Sequence, residues 1–181
     1  NYMRKLLFAF ALVLSMFLLA SCLEVESWWY VDAEGNVLTT VEVKPGDFVD
    51  DDEFSGYMQV IGFSVPLAFE VAEVTDSTVR ESYSTKPVKT YKIKEPVHIS
   101  SIEGATFTQD DDGVIKFTLV IPKVFAEKPS EPDEVVFTLH VLLPKEIDLA
   151  NTTFISGNEA TWKVTNEMLF KGTTLKAYTV E

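Results

Sequence analysis

The segment Val114–Ile121, VIKFTLVI, puts Ile115, Phe117, Leu119 and Ile121 on one side and Lys116 and Thr118 on the other. Successive strand side chains point to opposite faces, so this alternation predicts a strand with one face in a core. Glu134–Leu143, EVVFTLHVLL, repeats the pattern with Val135, Phe137, Leu139, Val141 and Leu143. Working outward, Val25–Val31 and Val37–Lys44 flank the turn sequence Ala33-Glu34-Gly35-Asn36 and predict a hairpin. In this reading Trp29 joins a core face with Val25 and Val31. Further strands are predicted at Thr90–Ile93, Val97–Ile102, Ala105–Thr108, Ala160–Val164 and Thr174–Val180. Pro96, Pro122 and Pro144 stand at strand ends, where a missing N–H is tolerated. The polar stretch 126–134, AEKPSEPDE, reads as a surface loop.

Gly56–Val74, GYMQVIGFSVPLAFEVAEV, departs from this rhythm. Alternation through Tyr57, Gln59, Ile61 and Phe63 predicts a strand to about Phe63. Ser64 and Pro66 then suggest a short helix or an irregular turn. The expected fold is α+β and β-rich, a mostly antiparallel sheet with one or two short helices. It is expected to form a single domain over residues 22–181.

Composition limits the function classes. Hydrophobic residues make up 46% and charged residues 24%, which is globular rather than disordered. The chain has 15 basic and 28 acidic residues, a net charge of −13. Nucleic acids and anionic headgroups require positive potential, so neither is an expected partner.

The N-terminus carries the strongest motif. Met3-Arg4-Lys5 is followed by an apolar run from Leu6 to Leu19, broken only by Ser15. As a helix it would reach about 21 Å, short of a hydrocarbon core roughly 30 Å thick. This is the pattern of a secretory signal peptide, residues 1–21. The segment ends Leu19-Ala20-Ser21-Cys22, which resembles the bacterial lipobox. That resemblance implies cleavage before Cys22, a diacylglyceryl group on its sulfur and stable membrane anchoring through two or three acyl chains. Cys22 is the only cysteine, so no disulfide can form within the chain.

Catalytic and metal motifs are sparse. Asp110-Asp111-Asp112-Gly113 lies between two strands. Placed on a calcium-loop pattern, its closing position falls on Leu119, which cannot ligate, so a hairpin turn is expected instead. Asp50-Asp51-Asp52-Glu53 reads as a solvated acidic loop. His98 and His140 are the only histidines and show no zinc-ligand spacing. No nucleophile elbow, Ser-x-x-Lys pair, phosphate loop or dinucleotide fingerprint is present. No cofactor, metal or enzymatic activity is expected.

The aromatic residues suggest more. Trp28-Trp29-Tyr30 follows closely on Cys22, with Trp28 and Tyr30 on the face opposite Trp29. Tyr57, Met58, Phe63 and Phe69 form a second group. Both groups read as ordinary core or partly exposed residues, or as the lining of an apolar site.

A series of C-terminal motifs is similar to the LppM-type lipoprotein domain. Leu142-Leu143-Pro144 ends a strand, Asn151 follows, and Ser156-Gly157-Asn158-Glu159-Ala160-Thr161-Trp162 leads to a closing strand with Leu175-Lys176-Ala177. The Asp32–Gly35 turn and the Asp-Gly hairpin before Val114–Ile121 fit the same order. The resemblance implies an envelope protein that binds lipid or glycolipid without catalysis, and carries over no ligand residue. Here Gly157 is expected in a positive-φ turn and Trp162 as a core filler.

The combined expectation is an extracytoplasmic lipoprotein of the bacterial envelope, held to a membrane through Cys22. It binds a lipid or other apolar ligand near Trp28, Tyr57, Met58, Phe63 and Phe69. The alternative is a structural lipoprotein that contacts another envelope protein through sheet edges or acidic loops.

Overall fold

A computed structural model describes residues 23–68, 71–81, 84–152 and 154–181. The signal-peptide reading, Cys22 and Phe69 lie outside the described residues. The chain is β-rich, with twelve strands, two α-helices and one 3-10 turn among those residues. It divides into two compact units, one taking Thr40–Glu95 with the chain up to Glu26, the other Ser27–Thr39 with Pro96–Glu181. Strands β1 (Leu23–Val31) and β2 (Asn36–Pro45) contribute residues to both.

In the second unit one sheet runs β10 (Phe154–Ser156), β11 (Glu159–Thr165), β8 (Val135–Leu142), β1 and β2, with β5 (Val97–His98) on the start of β2. A four-stranded sheet runs β6 (Ala105–Gln109), β7 (Ile115–Ile121), β12 (Thr173–Thr179) and β9 (Ile147–Ala150). Both long alternating segments are strands, and their apolar sides are buried: Phe117, Leu139, Val141 and Leu143 with Trp162, Val164, Leu175 and Ala177. Phe117 meets Trp29 edge-on at 6.5 Å between ring centroids and Trp162 at 6.4 Å. Trp162 is thus a core residue, whereas Trp29 is only half-buried against Phe117 and Val25 packs in the other unit rather than with it.

Val136 is buried although it lies out of phase with Leu139 and Val141. The β8–β11 register slips between Val164 and Thr165, which leaves Val136 as the extra residue of a bulge in β8 and lets it turn inward.

The turns follow their chemistry. Gly157 has φ 58° and Gly113 φ 83°. Asp110 closes the β6–β7 hairpin, its backbone N–H donating to Val114 O at 3.1 Å and its carboxylate accepting from Val114 N at 2.9 Å. Thr165 caps the second helix, α2 (Asn166–Lys171), its hydroxyl accepting from Met168 N.

Asn151 holds three segments together. Its side-chain oxygen accepts from the Trp162 indole N–H at 3.1 Å and from Lys176 N at 2.7 Å. Its side-chain nitrogen donates to Thr174 O at 2.7 Å.

In the first unit β3 (Val71–Glu81) pairs with β4 (Ser84–Ile93), and β4 pairs with the Thr40–Val43 part of β2. Helix α1 (Asp51–Ala68) packs its first two turns on this layer.

Four expectations need correction. Gly56–Phe63 is not a strand; it belongs to α1. Asp50–Glu53 is not a solvated loop but the helix start: the Asp50 carboxylate accepts from Glu53 N at 2.8 Å, and its carbonyl from Phe54 N at 2.9 Å. Asp51, Asp52 and Glu53 fill the first turn, where the helix dipole favours negative charge. Val97–Ile102 is a two-residue strand followed by the 3-10 turn Ile99–Ser101, because the His98 ring accepts from Ser100 N and caps that turn. Finally, the sheet is partly mixed rather than mostly antiparallel. A tight hairpin enforces antiparallel pairing, whereas β8 reaches the side of β1 through a long connection that does not.

Candidate functional site

The capped start of α1 determines what the first unit presents. From Asp50, the helical repeat puts Phe54 and Met58 one above the other on a single face. Both are buried, and they pack with Leu23, Val43 and Tyr91; Tyr57, Val25, Val41 and Val49 sit at the margin. Beside this cluster lies an open groove of about 370 Å³. Asp51, Phe54, Ser55 and Met58 line it from the helix, and Asp76, Thr78, Thr85, Pro87 and Lys89 from β3 and β4. Its floor is apolar at Phe54, Met58 and Pro87, and its rim is polar. Lys89 and Asp76 approach to 3.3 Å across the strands.

Tyr91 is buried in the same cluster, and its hydroxyl has no hydrogen-bond partner among the described residues. Burial raises its pKa above the usual phenol value, and the nearby Asp76 carboxylate adds to this.

A charged network lies elsewhere in this unit. Lys44 sits 3.2 Å from both Glu26 and Glu81 and 3.8 Å from Glu24. Lys86 sits 2.9 Å from Asp47, 3.1 Å from Glu24 and 3.4 Å from Glu81. Each lysine side chain is only 12% exposed. Burial works against the Lys86 charge, but the hydrogen bonds to Asp47 and Glu24 outweigh it and the pKa rises. Lys44 rises too, burial being outweighed by Glu81 and Glu26, and the Lys44 hydrogen bond lowers Glu81. The network orders the ends of four strands rather than presenting a free charge.

In the second unit Trp28 stacks on the His140 ring, 4.6 Å between centroids and 6° from parallel. His140 Nδ1 lies 2.7 Å from the Glu159 carboxylate and 3.1 Å from the Thr161 hydroxyl. Tyr30, Leu38 and Phe154 are exposed on this outer side, Phe154 by 55%.

The residues singled out from the sequence do not form one site. Met58 lines the groove and Tyr57 is half-buried beside it. Trp28 belongs to the other unit. Phe63 falls in the part of α1 whose side chains lie outside those described, and Phe69 lies outside altogether. Of the residues that line the groove, sequence reasoning named only Met58 as a site residue and missed the rest, Phe54, Pro87 and Lys89 among them. The signal for Phe54 was available, since Asp-x-x-Glu at Asp50–Glu53 is a helix-start pattern ahead of an apolar run.

Among the described residues, no group of three or more His, Cys, Asp or Glu side chains could hold a metal ion. No described helix is long and apolar enough to cross a membrane.

No protein-family profile matches the sequence, and no curated protein matches it. Among solved structures, the chain is similar to the folded domain of LppM from Mycobacterium tuberculosis, determined by NMR. The alignment covers 87% of this chain and 89% of that one, with 10% identity and a TM-score of 0.36. This is a distant resemblance and bears on neither site nor activity.

Proposed function

We propose that the chain is a lipid-anchored envelope protein that binds an apolar or amphiphilic ligand without catalysis. The anchoring rests on Leu19-Ala20-Ser21-Cys22. The binding rests on one observation, the groove floored by Phe54, Met58 and Pro87. Its volume is at the small end of the range for small-molecule sites, about 300–1,000 Å³. An acyl segment lies on the floor, and its polar end meets Lys89, Thr78 or Ser55. Labelled palmitate should enter the protein and be lost in Cys22→Ser. The purified full chain should bind a fluorescent fatty acid. Thr85→Trp, at an exposed rim position, should weaken that binding at least severalfold by filling the groove. Absence of binding, or equal binding by Thr85→Trp, refutes the groove reading.

A second reading is favoured by a separate observation. Tyr30, Leu38 and Phe154 expose apolar surface on the outer side of the second unit, beside the Trp28–His140 stack. This surface suits contact with another envelope protein. Cross-linking in native membranes from Tyr30 should then capture one defined partner.

A further inference from the structure

Strand β3 is the end strand of its sheet. It runs for eleven residues, VAEVTDSTVRE, and has no proline. Its N–H and C=O groups alternate between β4 and the open side. An end strand this long is a template for adding a strand. Its side chains are turned to solvent: Val74 is 47% exposed and the Asp76 side chain 79%. Among the described residues, the Arg80 side chain makes no hydrogen bond or ion pair.

We propose that β3 docks on β3 of a second copy of this chain, antiparallel, with Thr78 on the two-fold axis. The proposal does not depend on the lipid anchor or on the groove ligand. An axis between two antiparallel edges stands perpendicular to the sheet. It therefore puts the same face of both copies on the same side, and each residue must meet one from its own face. Val74, Asp76, Thr78 and Arg80 share a face, as their partners Tyr91, Lys89, Pro87 and Thr85 show.

That restriction leaves few registers, and charge selects among them. Centring on Asp76 puts Asp76 opposite itself. Centring on Ser77 puts Glu73 opposite Glu81. Centring on Thr78 puts Asp76 opposite Arg80 twice, Thr78 opposite Thr78, Ser77 opposite Val79 and Thr75 opposite Glu81. This two-fold register alone sets unlike charges directly opposite each other and opposes no like charges. Unlike charges and threonine pairs are favourable across strands, and like charges are unfavourable. Charges on an end strand normally deter pairing; here their spacing admits one alignment.

The test is sedimentation equilibrium of the full chain in density-matched detergent. The wild type should form a dimer. Arg80→Asp leaves the protomer's own bonds intact and replaces both attractive pairs with Asp–Asp repulsion, weakening the dimer by roughly tenfold or more. Asp76→Arg should do the same through Arg–Arg repulsion. Mixed together, the two variants should associate, because each now complements the other. Thr78→Cys should give a disulfide-linked dimer on oxidation, since opposed strand residues lie about 4.5–5.5 Å apart between Cα atoms. The wild type, which retains Cys22, serves as the control. Arg80 does not line the groove, so fatty-acid binding by Arg80→Asp should be unchanged and the two readings can fail separately. A monomeric wild type, a dimer indifferent to Arg80→Asp, or variants that fail to associate on mixing would each overturn the proposal.

Discussion

Replacing Asn151 with alanine removes three hydrogen bonds at once. The Trp162 indole N–H and the Lys176 backbone N–H lose their acceptor, and Thr174 O loses its donor. Each bond contributes about 0.5–1.5 kcal/mol net, and a buried donor left unpaired costs about 1–3 kcal/mol. Trp162 is only 3% exposed, whereas Asn151 is at the surface, so water can replace part of what the two backbone groups lose. The expected cost is therefore about 2–4 kcal/mol. With a urea dependence of about 2 kcal/mol/M, the unfolding midpoint should fall by about 1–2 M. Trp28, Trp29 and Trp162 are the only tryptophans, and all lie in the second unit, so indole fluorescence reports on that unit alone. Trp162→Phe removes the donor, and the double variant then isolates the pair. A coupling of about 1–2 kcal/mol is expected between Asn151→Ala and Trp162→Phe. Costs that simply add, or a midpoint shift below about 0.3 M, would refute the role given to Asn151.

Three further outcomes follow from the same geometry. Asp50→Ala removes the α1 cap and should cost the first unit about 1 kcal/mol, with reduced helical circular dichroism. Gly104→Ala should cost about 1–3 kcal/mol, read as a lower Tm, because Gly104 has φ 80° and an added Cβ would stand 2.7 Å from Val120 O. The lysine network has a defined pH window. Glu81, lowered by Lys44, contributes above its ordinary value of 4.5, and the contribution is lost as pH falls through the lower folded value. Lys86, whose carboxylate hydrogen bonds outweigh the effect of burial, contributes fully below 10.5, and the contribution is lost as pH rises through the higher folded value. Stability of the first unit measured against pH should therefore drop at both ends, and Lys86→Met should flatten the alkaline limb. An unaltered alkaline limb in Lys86→Met would contradict the network's role.

The sequence was most readable where one strand face is buried and the other wet. Ile115, Phe117, Leu119 and Ile121 alternate cleanly because β7 lies on a core. The turns at Asp110–Gly113 and Gly157 were readable because glycine marks positive φ. Helix α1 was misread because two patterns overlap in it. Phe54 and Met58 recur at helical spacing, while Tyr57, Gln59, Ile61 and Phe63 happen to alternate as in a strand. Strand β3 was not foreseen because Glu73–Arg80 is almost wholly exposed and has no buried face to impose a period. Strands β9 and β10 are too short to carry one. The groove was out of reach for a further reason: Thr78, Pro87 and Lys89 meet α1 only through the β3–β4 pairing, and spacing along the chain does not encode that pairing.

The division of β1 and β2 between the two units sets an order of assembly. Every residue of the first unit has been synthesised once Glu95 is added. The second unit holds Ser27–Thr39 from the outset, yet must wait for Val135–Leu142 and then Thr173–Thr179. Contacts that span so much chain close slowly. During vectorial synthesis Trp29 therefore waits for Phe117, and Trp28 longer still for His140.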